Sequence, residues 1–81
     1  MNEYGDKINQ AVAGELRAHR ARTRMTFDKL AAEVGLAKAT VLKYLNGQRS
    51  IPLPALADLC RALGLRMDEL FVLALKSAEQ D

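Results

Sequence analysis

A chain of 81 residues with 49% hydrophobic and 5% aromatic content suffices for one small domain with an alanine- and leucine-packed core and leaves no room for a second. One cysteine, Cys60, and one histidine, His19, exclude an internal disulfide and a cysteine-based zinc site, and no apolar run reaches signal-peptide or membrane length, so a cytoplasmic protein without metal, cofactor or membrane association is expected. The net charge is only +2, but residues 15–50 hold eight Arg and Lys against three acids while residues 51–81 hold three against five; taken alone that is a solvated basic face, and it also suits a partner with a phosphate backbone.

In chain order, residues 1–6 (MNEYGD) are polar, include Gly5 and are expected to fray. From Lys7 to about Arg22, Ile8, Ala11, Val12 and Leu16 recur at helical intervals, predicting a first helix with a basic C-terminal end. Thr26 is placed to cap a second helix, with Asp28 favourable near its N-terminal dipole, and that helix should end near Val34, before Gly35. A third helix runs from about Lys38 to Leu45 and stops at Asn46-Gly47, a left-handed terminator. Gln48 to Leu53 reads as a loop. Pro54 fits the first turn of a fourth helix whose stripe is Leu56, Leu59, Cys60 and Leu63, ended by Gly64. A fifth helix spans roughly Met67 to Ser77. With no strand pattern, repeat or low-complexity tract, the expected fold is all-α, five short helices in a single domain covering residues 1–81.

Residues 27–46, FDKLAAEVGLAKATVLKYLN, read as a helix-turn-helix, the unit that lays its second helix in the DNA major groove. Ala31 gives the two helices a small side chain where they cross, and Gly35 tolerates the positive φ of the turn between them. Leu30, Val34, Val41 and Tyr44 fall on the inner faces.

The leading LRAHRAR, then MTFDKLAAEVGLAKATVLKYLNGQRSIP, then LADLCRALGLRMDELF, together resemble the lambda-repressor/Cro (XRE-like) DNA-binding domain over about residues 8–76. KATVLKYLNG is also similar to the recognition segment of LacI-type repressors. Those begin almost at the helix-turn-helix and follow it with a hinge, so the full preceding helix here favours the lambda class. The resemblance implies a five-helix DNA-binding domain, an Arg20 matching an arginine that often forms a structural salt bridge, and dimers that form near the C-terminal end. Three positions depart from the family pattern. Phe27 stands where a polar residue, frequently Gln, would offer a side-chain phosphate contact. Ala37 replaces a common Ser, which removes a side-chain N-cap worth roughly 1 kcal/mol. Leu45 replaces a common Glu, so the acidic partner of Arg20 is missing and Arg20 is expected to be freer to face DNA.

With Val41 and Tyr44 inward, Ala37, Lys38, Ala39, Leu42 and Lys43 lie outward or flanking. Lys38 and Lys43 can donate to guanine O6/N7 or meet a phosphate; Ala39 is short enough to touch a thymine methyl; an exposed Leu42 can meet a methyl or sugar, or pack on a neighbour. Phosphate candidates are the helix start at Thr26 and Phe27, then Arg22, Arg24 and Thr40, and the group Asn46, Gln48 and Arg49 just after the third helix. Thr40 can equally bond only its local backbone.

His19 reads as a helix-surface or half-buried residue and Cys60 as a small buried hydrophobe. No catalytic constellation is present, so no enzyme is expected. The fifth helix carries more apolar residues than one stripe needs, and Leu70, Phe71, Leu73 and Ala74 are candidates for a dimer contact within 66–78, with Leu75 adjacent. The expected function is a phage- or prophage-type repressor binding double-stranded DNA as a homodimer on a pseudo-palindromic operator. The alternatives are an antitoxin of the same fold that also binds a toxin, and a protein-interaction module that has lost DNA binding.

Overall fold

The computed structural model describes residues 3–80. They form five helices: α1 (Glu3–Thr23), α2 (Phe27–Val34), α3 (Lys38–Leu45), α4 (Leu53–Leu63) and α5 (Met67–Glu79). α1 is longer than the apolar pattern predicts. Of the segment expected to fray, residues 1–2 lie outside the described residues, while Glu3–Asp6 form its first turn, where Glu3 and Asp6 favour the helix dipole. α4 starts at Leu53, with Pro52 at the N-cap and Pro54 just inside, so the expected loop is one residue shorter.

The terminators act through backbone conformation. Gly35 has φ +70°, and Leu36 N–H bonds back to Ala31 O at 3.1 Å. Nothing crowds the place a Cβ would take at Gly35, so the requirement there is conformational freedom rather than space. At the end of α3 the left-handed residue is Gly47 (φ +73°), while Asn46 stays at φ −86°. Thr26 caps α2 as expected, its Oγ1 accepting Lys29 N–H at 3.1 Å. α3 has no side-chain cap at Ala37.

One core joins all five helices. Leu16, Leu30, Val41, Leu45, Leu59, Cys60 and Leu70 are fully enclosed, and Met25, Phe27, Val34, Leu36 and Ile51 pack around them. α1 runs through the middle of the arrangement, touching α3, α4 and α5, and α2 lies on α3 and α4. Burial raises the Cys60 thiol pKa above its usual value, consistent with a packing role.

Candidate nucleic-acid interface

α3 turns Val41, Tyr44 and Leu45 into the core. Lys38, Ala39 and Lys43 are left exposed on the opposite side, with Thr40 and Leu42 half-buried at its margins. Leu42 is thus less bare than the sequence suggests. Lys38 is engaged in the free protein: its Nζ lies 3.4 Å from Asp28 Oδ1, with both side chains more than half exposed. An ion pair that open to water is worth at most about 1 kcal/mol, so it yields readily to a stronger acceptor.

At one flank stands the N-terminus of α2. Thr26 Oγ1 is committed to Lys29 N–H, and helix geometry leaves the first N–H groups of Phe27 and Asp28 without intrahelical acceptors. The Phe27 ring is half-buried and serves another purpose. The Arg20 guanidinium sits 4.2 Å from its centroid, and Arg20 Nη1 donates to Met25 O at 2.8 Å. Arg20 is therefore not free to face DNA. With Leu45 in the core rather than an acid, the arginine instead stacks on the aromatic ring and caps a carbonyl. The two departures at 27 and 45 are complementary: the ring supplies at one position what the missing acid withholds at the other. Arg20 Nε, by contrast, is buried and has no hydrogen-bond partner among the described residues.

Arg22 and Arg24, neighbours in sequence, part ways. Arg22 Nη2 bonds to His19 Nδ1 at 3.3 Å, and His19 Nε2 donates to Leu63 O at 3.1 Å. This chain ties Arg22 to the α1–α4 seam, not to the start of α2. It also fixes the half-buried His19 as a link to the end of α4. Arg24 is exposed at φ +59°, a left-handed residue that closes α1 and leads into Met25 and Thr26.

At the other flank, Asn46, Gln48 and Arg49 follow α3 directly and are exposed. Gln48 N–H returns to Lys43 O at 2.9 Å, and the Arg49 guanidinium lies 5.7 Å from the Tyr44 ring centroid. Three α1 side chains that sequence patterning does not single out hold this flank. Arg17 Nη1 donates to Leu45 O. Gln10 Nε2 donates to Gly47 O at 2.7 Å. Asn9 bonds both Arg49 O, at 3.3 Å, and Ile51 N–H, at 3.1 Å. Their only sequence signal is being long polar residues beside the apolar stripe of α1.

α5 corrects the expected dimer contact. Leu70 and Ala74 are fully enclosed and Ala78 nearly so, so they close the core against α1. Phe71 and Leu73 remain exposed, joined by Val72 and Leu75 at 36–52% accessibility.

Residues 11–71 match the family profile of the helix-turn-helix domain. No curated protein matches the sequence at a significant level. Among solved structures, the chain is similar to the clp gene regulator ClgR from Corynebacterium glutamicum, at 23% identity and a TM-score of 0.85, over 90% of this chain and 78% of that one. That likeness concerns the fold. With the turn at Gly35, the capped α2 and the outward face of α3, it leads to one conclusion: the chain belongs to the helix-turn-helix domain family of DNA-binding regulators, in its five-helix lambda-repressor-like form.

Proposed function

We propose that this protein is a sequence-specific transcriptional repressor of the phage or prophage type, binding a pseudo-palindromic operator in double-stranded DNA as a homodimer in the cytoplasm and blocking an overlapping promoter. The observation that carries the reading is the exposed α3 face, where two lysines flank the small Ala39 and two anion-compatible flanks border the helix. Lys38, Ala39, Leu42 and Lys43 are the base-facing set. Thr26, Phe27 N–H, Arg24, Asn46, Gln48 and Arg49 are the phosphate-facing set, with Thr40 at the margin and Arg22 the least favourably held. The chemistry is that of a binder, not of an enzyme.

The dimer part is supported by the outer face of α5. Residues 68, 69, 72, 73 and 76 share one side of a helix, which places Asp68 and Glu69 at one end, Lys76 at the other and Val72–Leu73 between them. A twofold axis through Val72–Leu73 brings the acidic end of one copy against Lys76 of the next, the self-complementarity that an isologous contact requires. Half-sites would then lie about one helical turn, roughly 34 Å, apart.

Selection of binding sites from random DNA, followed by titration across salt concentration, tests the reading. A paired half-site motif is expected, with affinity falling about 10³- to 10⁵-fold between 50 and 200 mM salt for a dimer making about 6–10 phosphate contacts. Replacing Lys38 and Lys43 with Ala should cost about 1–3 kcal/mol for each lysine that reads a base. Binding that ignores both salt and these lysines would sink the proposal, and a single unpaired half-site would remove the dimer.

A further inference from the structure

The loop from Gly47 to Ile51 joins the end of α3 to α4 and carries Gln48 and Arg49. Two neighbouring α1 side chains hold it through three hydrogen bonds: Gln10 to Gly47 O, and Asn9 to both Arg49 O and Ile51 N–H. Because a peptide group is planar and trans, fixing the carbonyl of residue 49 also fixes the direction of the Ser50 N–H, while the Gln48 N–H is already turned back to Lys43 O. The fit is mutual. Gly47 has φ +73°, and a Cβ there would come within 2.3 Å of Gln10 Oε1, so the amide occupies space that only glycine leaves open. Neither Asn9 nor Gln10 belongs to the apolar core, and of the loop they hold Ile51 packs against that core while Gln48, Arg49 and Ser50 stand exposed.

We infer that Asn9 and Gln10 are positioning residues for DNA binding, which hold the loop at 47–51 ready for the sugar-phosphate backbone. The inference rests on the DNA-binding reading above. A loop already in its bound conformation loses little freedom on association, so its contacts appear almost entirely as affinity. The clamp acts on backbone geometry common to every operator and therefore carries no base preference of its own.

The test uses the full chain, a selected operator duplex and an unrelated duplex. Gln10→Met keeps the length of the side chain, adds no charge and removes the donor. It should weaken binding to both duplexes by the same factor, about threefold to tenfold, and leave the ranking of operator base changes intact. The thermal midpoint should fall by no more than about 4–8 °C, the loss of one hydrogen bond, while the amides of 47–51 exchange faster. A merely structural role would lower the midpoint as much and spare the affinity of the folded protein. Gly47→Ala supplies a second arm: combined with Gln10→Ala, it should weaken binding by less than the product of the two single effects, because the clash partner is gone. Unchanged affinity despite faster loop exchange would overturn the clamp while leaving DNA binding in place, as would an altered base preference. If the unmodified protein binds neither duplex, the clamp and the DNA-binding reading fall together.

Discussion

The two ends of α3 are built on different terms. Its C-terminal end is gripped by Arg17, Gln10 and Asn9 from a helix that precedes it by 28 to 42 positions and is anchored by the fully enclosed Leu45. Its N-terminal end has no side-chain cap at Ala37 and one exposed ion pair, Lys38 with Asp28. The end that would be read against DNA is thus the loosely held one, while the end that sets the angle of the helix is fixed to the body of the protein. A binding helix benefits from that division. Its orientation is settled before the encounter, and the side chains that discriminate are still free to exchange water and weak partners for bases.

Breaking the gripped end gives the largest expected effect. Leu45→Ala should cost about 2–5 kcal/mol of stability, read as a lower denaturant midpoint, because the cavity opens where α3 is anchored. A loss under 1 kcal/mol would mean that the polar clamps rather than the core hold this end. Strengthening the loose end comes next. Ala37→Ser supplies the missing cap and should add about 1 kcal/mol, which for a domain of this size raises the thermal midpoint by about 4–8 °C. An unchanged midpoint would show that the N-terminus of α3 is already satisfied in some other way.

The smallest effect comes from a third helix start, that of α5, which also lacks a side-chain N-cap bond. There Asp68 accepts from Arg66 Nε and Nη2, at 3.0 and 2.9 Å, and from Glu69 N–H. The Arg66 hydrogen bond, with help from Glu69 N–H, holds the Asp68 carboxyl below its ordinary pKa. A carboxylate whose pKa is lower in the folded state adds stability above its unfolded pKa of about 3.9, and that contribution disappears as pH falls through the lower folded value. Asp68→Asn should therefore lower the thermal midpoint slightly at neutral pH and not at all in strong acid. A difference that persists under acid would assign the effect to shape rather than charge.

These contrasts also explain what the sequence makes visible. Thr26, Gly35 and Gly64 act locally, so caps and turns fall where residue chemistry places them. The stripes of α2, α3 and α4 each point one way, and Leu30, Val41 and Leu59 are buried as their spacing requires. The helix-turn-helix, and with it the kind of partner, follows from such short-range rules. Arg17, Gln10 and Asn9 escape them, since a polar residue on α1 reveals nothing of a carbonyl many residues away. Arg20 misleads for a related reason: the absence of its usual partner at 45 is visible in the sequence, whereas the Phe27 ring that replaces it is found only in three dimensions. α5 is ambiguous because apolar residues crowd two adjacent stripes, and packing against α1 decides that Leu70 and Ala74 turn inward while Phe71 and Leu73 do not.

The enclosed thiol of Cys60 has a practical consequence. It is the chain's one cysteine, it is 1% accessible, and burial keeps its proton on, so a thiol reagent meets no reactive sulfur until α4 leaves the core. Labelling without any engineered probe would then time the opening of the native state. Comparing its rate with and without operator DNA would report how far the partner slows that opening.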